Sequence, residues 1–268
     1  MTDVTNLTFL KLGGSLITDK NTPKQARFST IERILREVKN SIHDNPDMHL
    51  VLGHGSGSFG HYVGNQYHTR DGVRTQKEWS GFFEVYAAAR QLNQIIYQKA
   101  IEQDIPIIPF PLCTNAAVRN RTILNWSLEP MINALHRGFL PLVYGDVAFD
   151  QVLGGTILST EEIFTYLAEQ LEPERILIAG VEPGIWADYP QNTQIIPQIH
   201  LKKWEQNEIN LQGSASTDVT GGMRAKVESM LDIIRKNPSC EIAIFSGEQD
   251  GAIQYALSGQ LSGTTITA

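Results

Sequence analysis

The sequence predicts an α/β fold, a three-layer αβα sandwich in which helices cover both faces of a mostly parallel central sheet. Short apolar runs alternate with segments of helical periodicity along the chain, and glycines follow the apolar runs. Alternation of this kind is typical of parallel strands connected by helices. Ligands of such sheets bind at the carboxyl ends of the strands, and the glycines are expected at those ends.

The alternation begins with Leu7–Leu12, an apolar run that predicts a buried strand and is followed by two glycines. A helix follows, because apolar residues recur at helical spacing from Ile31 to Ile42, with Ser29 or Thr30 as its cap. The next predicted elements are a strand at Met48–Leu52, a glycine-rich loop, a helix from about Thr75 to Gln103, a strand at Ile105–Phe110, a helix around Leu128–His136, a strand at Phe139–Tyr144, a turn-rich segment at Gly145–Gly155 and a helix from Thr160 to about Gln170.

The sequence Glu172-Pro173-Glu174 predicts a hinge between two lobes, residues 1–171 and 172–268, that share one continuous sheet. The second lobe contains a polar stretch, Tyr189–Ser216, which is predicted to be an irregular surface excursion. Its regular elements are predicted as a strand at Arg175–Ala179, a helix at Gly222–Lys236, a strand at Glu241–Phe245 and a strand at Thr264–Thr267.

Composition excludes several classes of protein. The 268 residues carry a formal net charge of −7, so a broad basic surface for nucleic acid or anionic membrane is not expected. The two cysteines, Cys113 and Cys240, lie far apart and predict neither a disulfide framework nor a zinc site. No run of about 18 apolar residues occurs, and the first residues lack the pattern of a signal peptide. We therefore expect a cytoplasmic protein.

One glycine-rich loop matches the spacing of the dinucleotide-binding fingerprint. Gly55, Gly57 and Gly60 follow a predicted strand as Gly-x-Gly-x-x-Gly. That fingerprint also requires a helix that opens at the last glycine and an acidic residue after a second strand. Residues 61–80 are polar and predict neither element. The interpretation of this loop as the cofactor site of an oxidoreductase therefore ranks low. A second interpretation, a glycine-rich turn without a function in binding, stays open.

Lysines accompany glycines at several predicted strand ends. Glycine lets backbone N–H groups approach a phosphate closely, and a helix N-terminus adds a positive dipole. The chain has ten lysines, and three of them, Lys11, Lys20 and Lys226, lie within a few residues of such glycines. These segments together predict a local anion site. They are Lys11–Lys20, Gly53–His61, Gly145-Asp146 with Gly154-Gly155, and Thr220–Lys226.

Other phosphate-binding and metal-binding patterns are missing from the sequence. No Gly-Lys pair occurs, which excludes a Walker A loop, and neither His-Arg-Asp nor Asp-Phe-Gly occurs, which argues against a protein kinase. His54, His61 and His68 recur every seven residues, but the glycines between them argue against one helix that presents all three to a metal. We predict no protein metal site.

The segments Lys11–Lys20, Gly53–His61, Gly145-Asp146, Val181–Pro190 and Asp218–Lys226 resemble the amino-acid-kinase superfamily in sequence and order, over nearly the whole chain. Within it, the first two segments resemble the isopentenyl phosphate kinase family, and fosfomycin kinases share much of the pattern. The resemblance implies an amino-acid-kinase-like fold, transfer of the ATP γ-phosphate to isopentenyl phosphate in isoprenoid biosynthesis, Mg²⁺ that arrives with ATP, and a homodimer. It also implies acceptor binding by the first lobe and ATP binding by the second.

The resemblance further implies roles for individual residues. Lys11 and Lys20 would hold the transferring phosphoryl group, His61 would bind the acceptor phosphate, and the Val181–Pro190 loop would cover the nucleotide. The predicted catalytic residues are Lys11, Lys20, His61, Asp146, Glu161 and Lys226; the predicted ATP-binding residues are Lys11, Gly13, Gly14, Ser15, Gly57, Asp188, Gly221, Gly222 and Lys226; and the predicted substrate-binding residues are Gly55, Ser56, Gly60, His61, Gly155, Ser159, Thr160, Phe82, Phe83 and Tyr86.

One position departs from the family pattern. Members tend to have Ser-Gly-Asp where this chain has Ser159-Thr160-Glu161. Glutamate keeps the carboxylate but adds a methylene, and threonine lacks the backbone freedom of glycine. Whether Glu161 or Asp146 orients the lysines, and whether Thr160 contacts the acceptor, therefore stays open.

Aromatic residues recur at helical spacing in the predicted helix after the acceptor loop. Trp79, Phe82, Phe83 and Tyr86 form this stripe, which is either core or the wall of a small apolar pocket for a five-carbon tail. Two other functions stay open beside the isopentenyl phosphate kinase. One is a kinase of another small acceptor, such as a fosfomycin-type phosphonate, and the other is a nucleotide-binding regulator without catalysis.

Overall fold

A computed structural model of the chain describes residues 4–207 and 222–268, in which strands and helices alternate as the sequence predicts. The strands are β1 (Leu7–Leu12), β2 (His49–His54), β3 (Ile107–Pro109), β4 (Ala116–Arg119), β5 (Thr122–Trp126), β6 (Leu140–Tyr144), β7 (Asp146–Asp150), β8 (Gly154–Leu158), β9 (Arg175–Gly180), β10 (Ile185–Trp186), β11 (Ile195–Ile196), β12 (Gln198–His200), β13 (Glu241–Ser246) and β14 (Thr264–Thr267).

The helices lie between these strands. They are α1 (Gly14–Ile17), α2 (Phe28–Asp44), α3 (Gly57–Tyr67), α4 (Gln76–Ile101), α5 (Glu129–His136), α6 (Thr160–Leu171), α7 (Leu201–Glu205), α8 (Gly222–Lys236) and α9 (Ala252–Leu257), with a short 3-10 turn at Thr69–Asp71. Of the helices in the described part of the chain, none has both the length and the apolar character to cross a membrane.

An eight-stranded sheet in the order β12-β14-β13-β9-β1-β2-β6-β3 forms the middle layer. Neighbouring strands are parallel except for β13 and β14. The central strand β1 is an apolar run whose six residues are all buried. Its register places Lys11 beside Gly53 of β2 and Ile178 of β9. The carboxyl ends of β9, β1, β2 and β6 therefore meet at one edge of the sheet.

Two hydrophobic clusters cover the two faces of this sheet. Phe9 of β1 belongs to one cluster, together with residues of α5, α6 and α8. Leu10 belongs to the other, together with residues of α2, α4 and α9. Successive side chains of a strand point to opposite faces, so helices cover both faces. The predicted three-layer αβα sandwich is confirmed.

The predicted hinge is a sharp turn between α6 and β9. α6 ends at Leu171, and Glu172 takes a left-handed conformation with a φ of 49°. β9 then enters the sheet beside β1, so one continuous sheet crosses the predicted boundary. The functional division into lobes of residues 1–171 and 172–268 stays a prediction.

A second sheet, in the order β5-β4-β7-β8, corrects the sequence analysis. The segment Gly145–Gly155, predicted as turns, belongs to an antiparallel hairpin of β7 and β8. The hairpin of β4 and β5 was not predicted. The Asp150 carboxylate joins the two hairpins, because it accepts hydrogen bonds from backbone N–H groups of both. Asp150 is 30 residues from Asn120, one of its donors, so this contact leaves no local pattern in the sequence.

The glycine-rich segment after β2 also differs from the prediction, because α3 runs through it from Gly57 to Tyr67. Its apolar face packs with α4: Val63 and Tyr67 share a cluster with Val73 and Phe82. Tertiary contacts thus override the weak helix propensity of three glycines. Between α3 and α4 the described chain contains only the 3-10 turn and no strand, so the second strand of a dinucleotide-binding unit is absent there.

The second lobe contains both confirmed and corrected elements. The helix Gly222–Lys236 and the strand Thr264–Thr267 have the predicted bounds. The stretch Tyr189–Ser216, predicted as irregular, contains β11, β12 and α7. Its last part lies outside the described residues. The short helix α9 was not predicted.

The loops that follow β1 and β2 touch through their backbones. A Cβ atom at Gly14 would lie 2.3 Å from the Gly57 nitrogen and 2.5 Å from its Cα. Gly57 itself has a φ of +48°, in the left-handed region. Only glycine therefore allows this approach.

We predict that Gly14→Ala lowers the free energy of unfolding by about 3 kcal/mol, because the backbone it meets cannot move aside as a flexible side chain does. Gly180→Ala is the matched control, since the nearest atom to its Cβ would lie 3.9 Å away. Urea denaturation followed by circular dichroism measures both. Equal stability of the two variants would contradict the contact.

Candidate active site

A buried ion pair lies at the carboxyl edge of the sheet. Lys11 is the next-to-last residue of β1, and its Nζ lies 2.7 Å from Oε1 of Glu161 in the first turn of α6. Only 9% of the Lys11 side chain and 12% of the Glu161 side chain are exposed. A buried charge without a partner is strongly destabilising, so each of these side chains requires the other.

A second lysine acts on the same carboxylate. Burial raises the pKa of Glu161, but the positive charges of Lys11 and Lys226 lower it by more, so the pKa lies below its ordinary value. Glu161 is therefore ionised at neutral pH. Lys226 lies near the start of α8, so the cluster joins β1, α6 and α8. Glu161 is thus the carboxylate in contact with Lys11, and its role in orienting the other lysines stays a prediction.

Asp146 contacts backbone amides rather than the lysines. Its Oδ1 accepts a hydrogen bond from Val147 N–H at 2.9 Å, and its Oδ2 accepts one from Cys113 N–H at 3.4 Å. Burial raises the pKa of Asp146 to about 7. These contacts favour Glu161 over Asp146 as the partner of Lys11, and a catalytic role of Asp146 stays a prediction.

Short helices begin in both predicted glycine loops, and their first N–H groups have no partner within the helix. α1 begins at Gly14, and α3 begins at Gly57. The two openings touch, so their amides lie at one place on the edge of the sheet. The predicted site residues that lie there are Gly13, Gly14 and Ser15 after β1 and Gly55, Ser56, Gly57, Gly60 and His61 after β2.

The turn that carries Glu161 is held from two sides. Ser159 and Glu162 form a capping box, in which each side chain accepts a hydrogen bond from the backbone N–H of the other. Arg70 from the 3-10 turn donates two hydrogen bonds of 3.1 Å to the Glu162 carboxylate. The segment after α3 is thereby fixed against the start of α6.

Thr160 connects the start of α6 to the end of β2. It is buried, and its hydroxyl donates a hydrogen bond of 2.7 Å to the carbonyl oxygen of His54. The hydroxyl is therefore engaged by the backbone, which leaves a contact between Thr160 and an acceptor as a prediction only.

The aromatic residues of the predicted pocket lie on different sides of α4. Phe82 is buried and packs on Gly155, where a Cβ atom would lie 2.8 Å from its ring. Tyr86 is half-buried. Phe83 is 66% exposed, so it is not part of the core, and its contact with a substrate stays a prediction. Adjacent residues of a helix point in different directions, and the spacing alone did not fix which side faces inward.

Other predicted site residues lie farther along the chain. Lys20 is exposed. The Asp188 carboxylate accepts hydrogen bonds from the N–H groups of Thr193 and Gln194, so it shapes the loop predicted to cover the nucleotide. Gly222 is the first residue of α8. Gly221 lies outside the described residues.

Two buried polar residues beside the loop after β2 were not among the predicted site residues. His54 ends β2, and its Nε2 lies 3.2 Å from Oδ1 of Asn93 on α4. Burial lowers the pKa of His54 to about 4, so the ring is neutral at neutral pH. Nothing in the sequence distinguishes His54 from the other histidines of this segment, because Asn93 comes close only in the folded chain.

Within residues 4–207 and 222–268, no group of three or more His, Cys, Asp or Glu side chains could hold a metal ion. The three histidines at seven-residue spacing are distributed over different elements. His54 ends β2, His61 lies in α3, and His68 follows α3.

Comparison with known proteins defines the class of the chain. Residues 6–246 match the model of the amino acid kinase family. The chain therefore belongs to the amino acid kinase family. A carbamate kinase from Giardia lamblia has the same fold, with a TM-score of 0.69 at 14% identity over all of this chain and 99% of that chain.

Within that family the chain groups with the isopentenyl phosphate kinases. One relative of that name, from Methanocaldococcus jannaschii, is 34% identical over 97% of this chain and 98% of its own length. Another, from Methanothermobacter thermautotrophicus, is 27% identical over 96% and 98%. A solved isopentenyl phosphate kinase structure superposes with a TM-score of 0.81 at 25% identity, over 97% of this chain and 100% of that chain.

We predict that Glu161→Gln destabilises the protein by about 3–5 kcal/mol at pH 7, because it leaves Lys11 buried without a counter-charge. The pKa of Glu161 is lowered in the folded state, so its stabilising effect is present above about pH 4.5 and is lost as the pH falls further. Denaturation from pH 3 to 8 tests this, with Lys11→Met/Glu161→Gln as the control that restores stability. A deficit independent of pH would contradict the ion pair.

Asp146 should produce the opposite pH dependence. Its pKa is raised from 3.8 to about 7 on folding, so its contribution to stability is complete below about pH 4 and is lost as the pH rises through 7. We predict that Asp146→Asn, which cannot ionise, gains stability relative to the unmodified protein between pH 4 and 8. Urea midpoints across this range measure the gain. If the urea midpoints of the two proteins differ by the same amount at every pH, Asp146 is ionised in the folded protein over this whole range, which contradicts the prediction.

Proposed function

We propose that the protein transfers the γ-phosphoryl group of ATP to isopentenyl phosphate and so forms isopentenyl diphosphate and ADP. The observation that carries the phosphoryl-transfer chemistry is the cluster of Lys11, Glu161 and Lys226 at the edge of the sheet. The choice of acceptor is supported by the relatives of that name, which match almost the full length of the chain.

The proposed reaction requires positioning and charge neutralisation more than acid-base chemistry. An oxygen of the acceptor phosphate attacks the γ-phosphorus in line, and the bond to the bridging oxygen of ADP breaks. The second pKa of a phosphate monoester is about 6, so the attacking oxygen is already ionised at neutral pH and no residue must remove a proton. The main obstacle is therefore repulsion between two anions.

The lysines would reduce that repulsion. We assign Lys11 and Lys20 to the transferring phosphoryl group and Lys226, with the start of α8 at Gly222, to the ATP phosphates. Glu161 would fix the direction of the Lys11 ammonium, because its Oε1 lies 2.7 Å from the Lys11 Nζ. Mg²⁺ is expected to enter as Mg-ATP and to keep several of its waters, which requires few protein ligands.

The acceptor would bind along the loop after β2. The Ser56 N–H and the side chain of His61 are assigned to its phosphate, and Gly55 and Gly60 are assigned to the close approach of the loop to that phosphate. Phe82, Tyr86 and Gly155 are assigned to the five-carbon tail, since they lie where α4 meets the hairpin of β7 and β8.

We also propose that the protein works as a homodimer in the cytosol. Phe83 and Phe149 expose large aromatic surfaces, 66% and 57% of each residue, which suit contact with a second copy. Cys113 and Cys240 are free and buried, which suits a reducing compartment. The mass of the native protein in solution tests the dimer.

The acceptor is tested by ADP release with Mg-ATP and a panel of isopentenyl phosphate, dimethylallyl phosphate, fosfomycin, UMP, glutamate and aspartate. We expect the highest kcat/KM with isopentenyl phosphate. Rapid turnover of another acceptor without turnover of isopentenyl phosphate would overturn the proposal, and ATP binding without any turnover would indicate a regulator.

His61→Ala is predicted to reduce kcat/KM for isopentenyl phosphate by about 10- to 100-fold, the usual effect of losing a hydrogen bond to a charged group. The KM for ATP should stay within about twofold. His43→Ala, an exposed position on α2, is the control and should leave both unchanged. An equal loss of ATP binding in His61→Ala would place His61 in the nucleotide site instead.

A further inference from the structure

One buried histidine has no role in the proposed reaction, although it directly precedes the acceptor loop. His54 is the last residue of β2 and is only 1% exposed. Its ring stacks on Tyr144 of β6 with the centroids 5.4 Å apart and the planes 10° apart. Its carbonyl oxygen accepts hydrogen bonds from the Thr160 hydroxyl and from Gly145 N–H. The ring and backbone of His54 are therefore fixed by β6 and α6.

Each ring nitrogen of His54 faces an oxygen. Nδ1 lies 3.1 Å from the carbonyl oxygen of Gly55, and Nε2 lies 3.2 Å from Oδ1 of Asn93. The ring is neutral, because burial and the nearby Lys11 lower its pKa to about 4 despite these two oxygens. It therefore has one proton to donate.

The position of this proton follows from the two partners. The Gly55 carbonyl can only accept a hydrogen bond, whereas the Asn93 amide can present its NH2 group to Nε2 after a half turn. The arrangement that satisfies both partners has the proton on Nδ1, which donates to Gly55, and a lone pair on Nε2, which accepts from Asn93. The orientation of the Gly55 carbonyl thus depends on His54.

That carbonyl belongs to the same peptide group as the N–H of Ser56. In a planar trans peptide the C=O and N–H bonds point in opposite directions, so a carbonyl turned toward the His54 ring directs the Ser56 N–H away from it. Gly55 N–H is occupied by the carbonyl of Leu12 in β1. Within the described residues, by contrast, no acceptor takes a hydrogen bond from Ser56 N–H. This amide is thus available to a ligand.

We propose that His54, as the Nδ1–H tautomer, is a positioning residue that holds the Gly55 carbonyl and thereby directs the Ser56 N–H at the phosphate of the acceptor. The inference rests on the proposed acceptor site and adds to it a residue that does not touch the substrate. Thr160 supports His54 by holding its carbonyl oxygen, so the same network connects the acceptor loop to the helix that carries Glu161.

Two variants of similar size distinguish the roles of the two ring nitrogens of His54. In His54→Asn the amide nitrogen can take the place of Nδ1 and donate to Gly55, and in His54→Gln it takes the place of Nε2 and faces Asn93. Both lose the stacking on Tyr144, so a merely structural role predicts equal effects. We expect His54→Asn to keep the KM for isopentenyl phosphate within about threefold and His54→Gln to raise it about tenfold. The KM for ATP should stay within about twofold in both.

Equal acceptor KM values for the two variants, or an equal rise in the KM for ATP, would overturn the proposal. If neither variant folds, the tautomer of the unmodified protein decides: ¹⁵N NMR of the histidine rings at pH 7 should show the proton of His54 on Nδ1. A proton on Nε2 would refute the inference.

The unmodified enzyme is assayed first, so that failure of the proposed function is recognised separately. If it turns over another acceptor of the panel, the KM comparison uses that acceptor. If it turns over none, the proposed function fails, and the ¹⁵N measurement still tests the role of His54 because it requires no turnover.

Discussion

The buried contact between Lys11 and Glu161 constrains the rest of the site. An ammonium group on the central strand of a sheet is tolerated only with a counter-charge in hydrogen-bond contact, and Glu161 provides it from the first turn of α6. A carboxylate at that position is also favoured by the helix dipole. The capping box of Ser159 and Glu162 fixes this turn, so the direction of the Lys11 side chain follows from how α6 begins. α8 then packs beside α6 and brings Lys226 to the same carboxylate.

The second constraint is the approach of two backbones. Parallel strands place the loops after β1 and β2 side by side, and Gly14 and Gly57 let these loops touch without side chains between them. The openings of α1 and α3 are thereby brought together at the edge of the sheet where β1, the strand of Lys11, ends. A phosphate at this place could meet N–H groups and an ammonium together, and the interaction would be stronger than in water because the site is partly buried. Sheet topology, rather than any single residue, creates this arrangement.

The sequence predicted what depends on local pattern. The apolar run of β1, the amphipathic helix α8 and the glycines at the strand ends were all visible in it, and with them the fold class and the edge of the sheet where the site lies. It could not choose Glu161 over Asp146 as the partner of Lys11, because contacts across 150 residues leave no spacing to measure. The helix α3 was missed because its stability comes from packing on α4. The exposure of Phe83 could not be predicted from its spacing, because the inward side of α4 depends on the hairpin of β7 and β8.

The charge of the cluster is small compared with that of the phosphorylated ligands of the proposed reaction. Lys11, Glu161 and Lys226 together carry one net positive charge, whereas a phosphate monoester alone carries about −1.5 to −2 at neutral pH. The cluster can therefore orient the ligands but cannot neutralise them. In the proposed reaction, the remaining positive charge would come from the exposed Lys20, from Mg²⁺ carried by ATP and from the partial charges of the backbone amides. Since a neutral amide adds no net charge to the empty site, backbone donors suit a small anion site in an acidic protein.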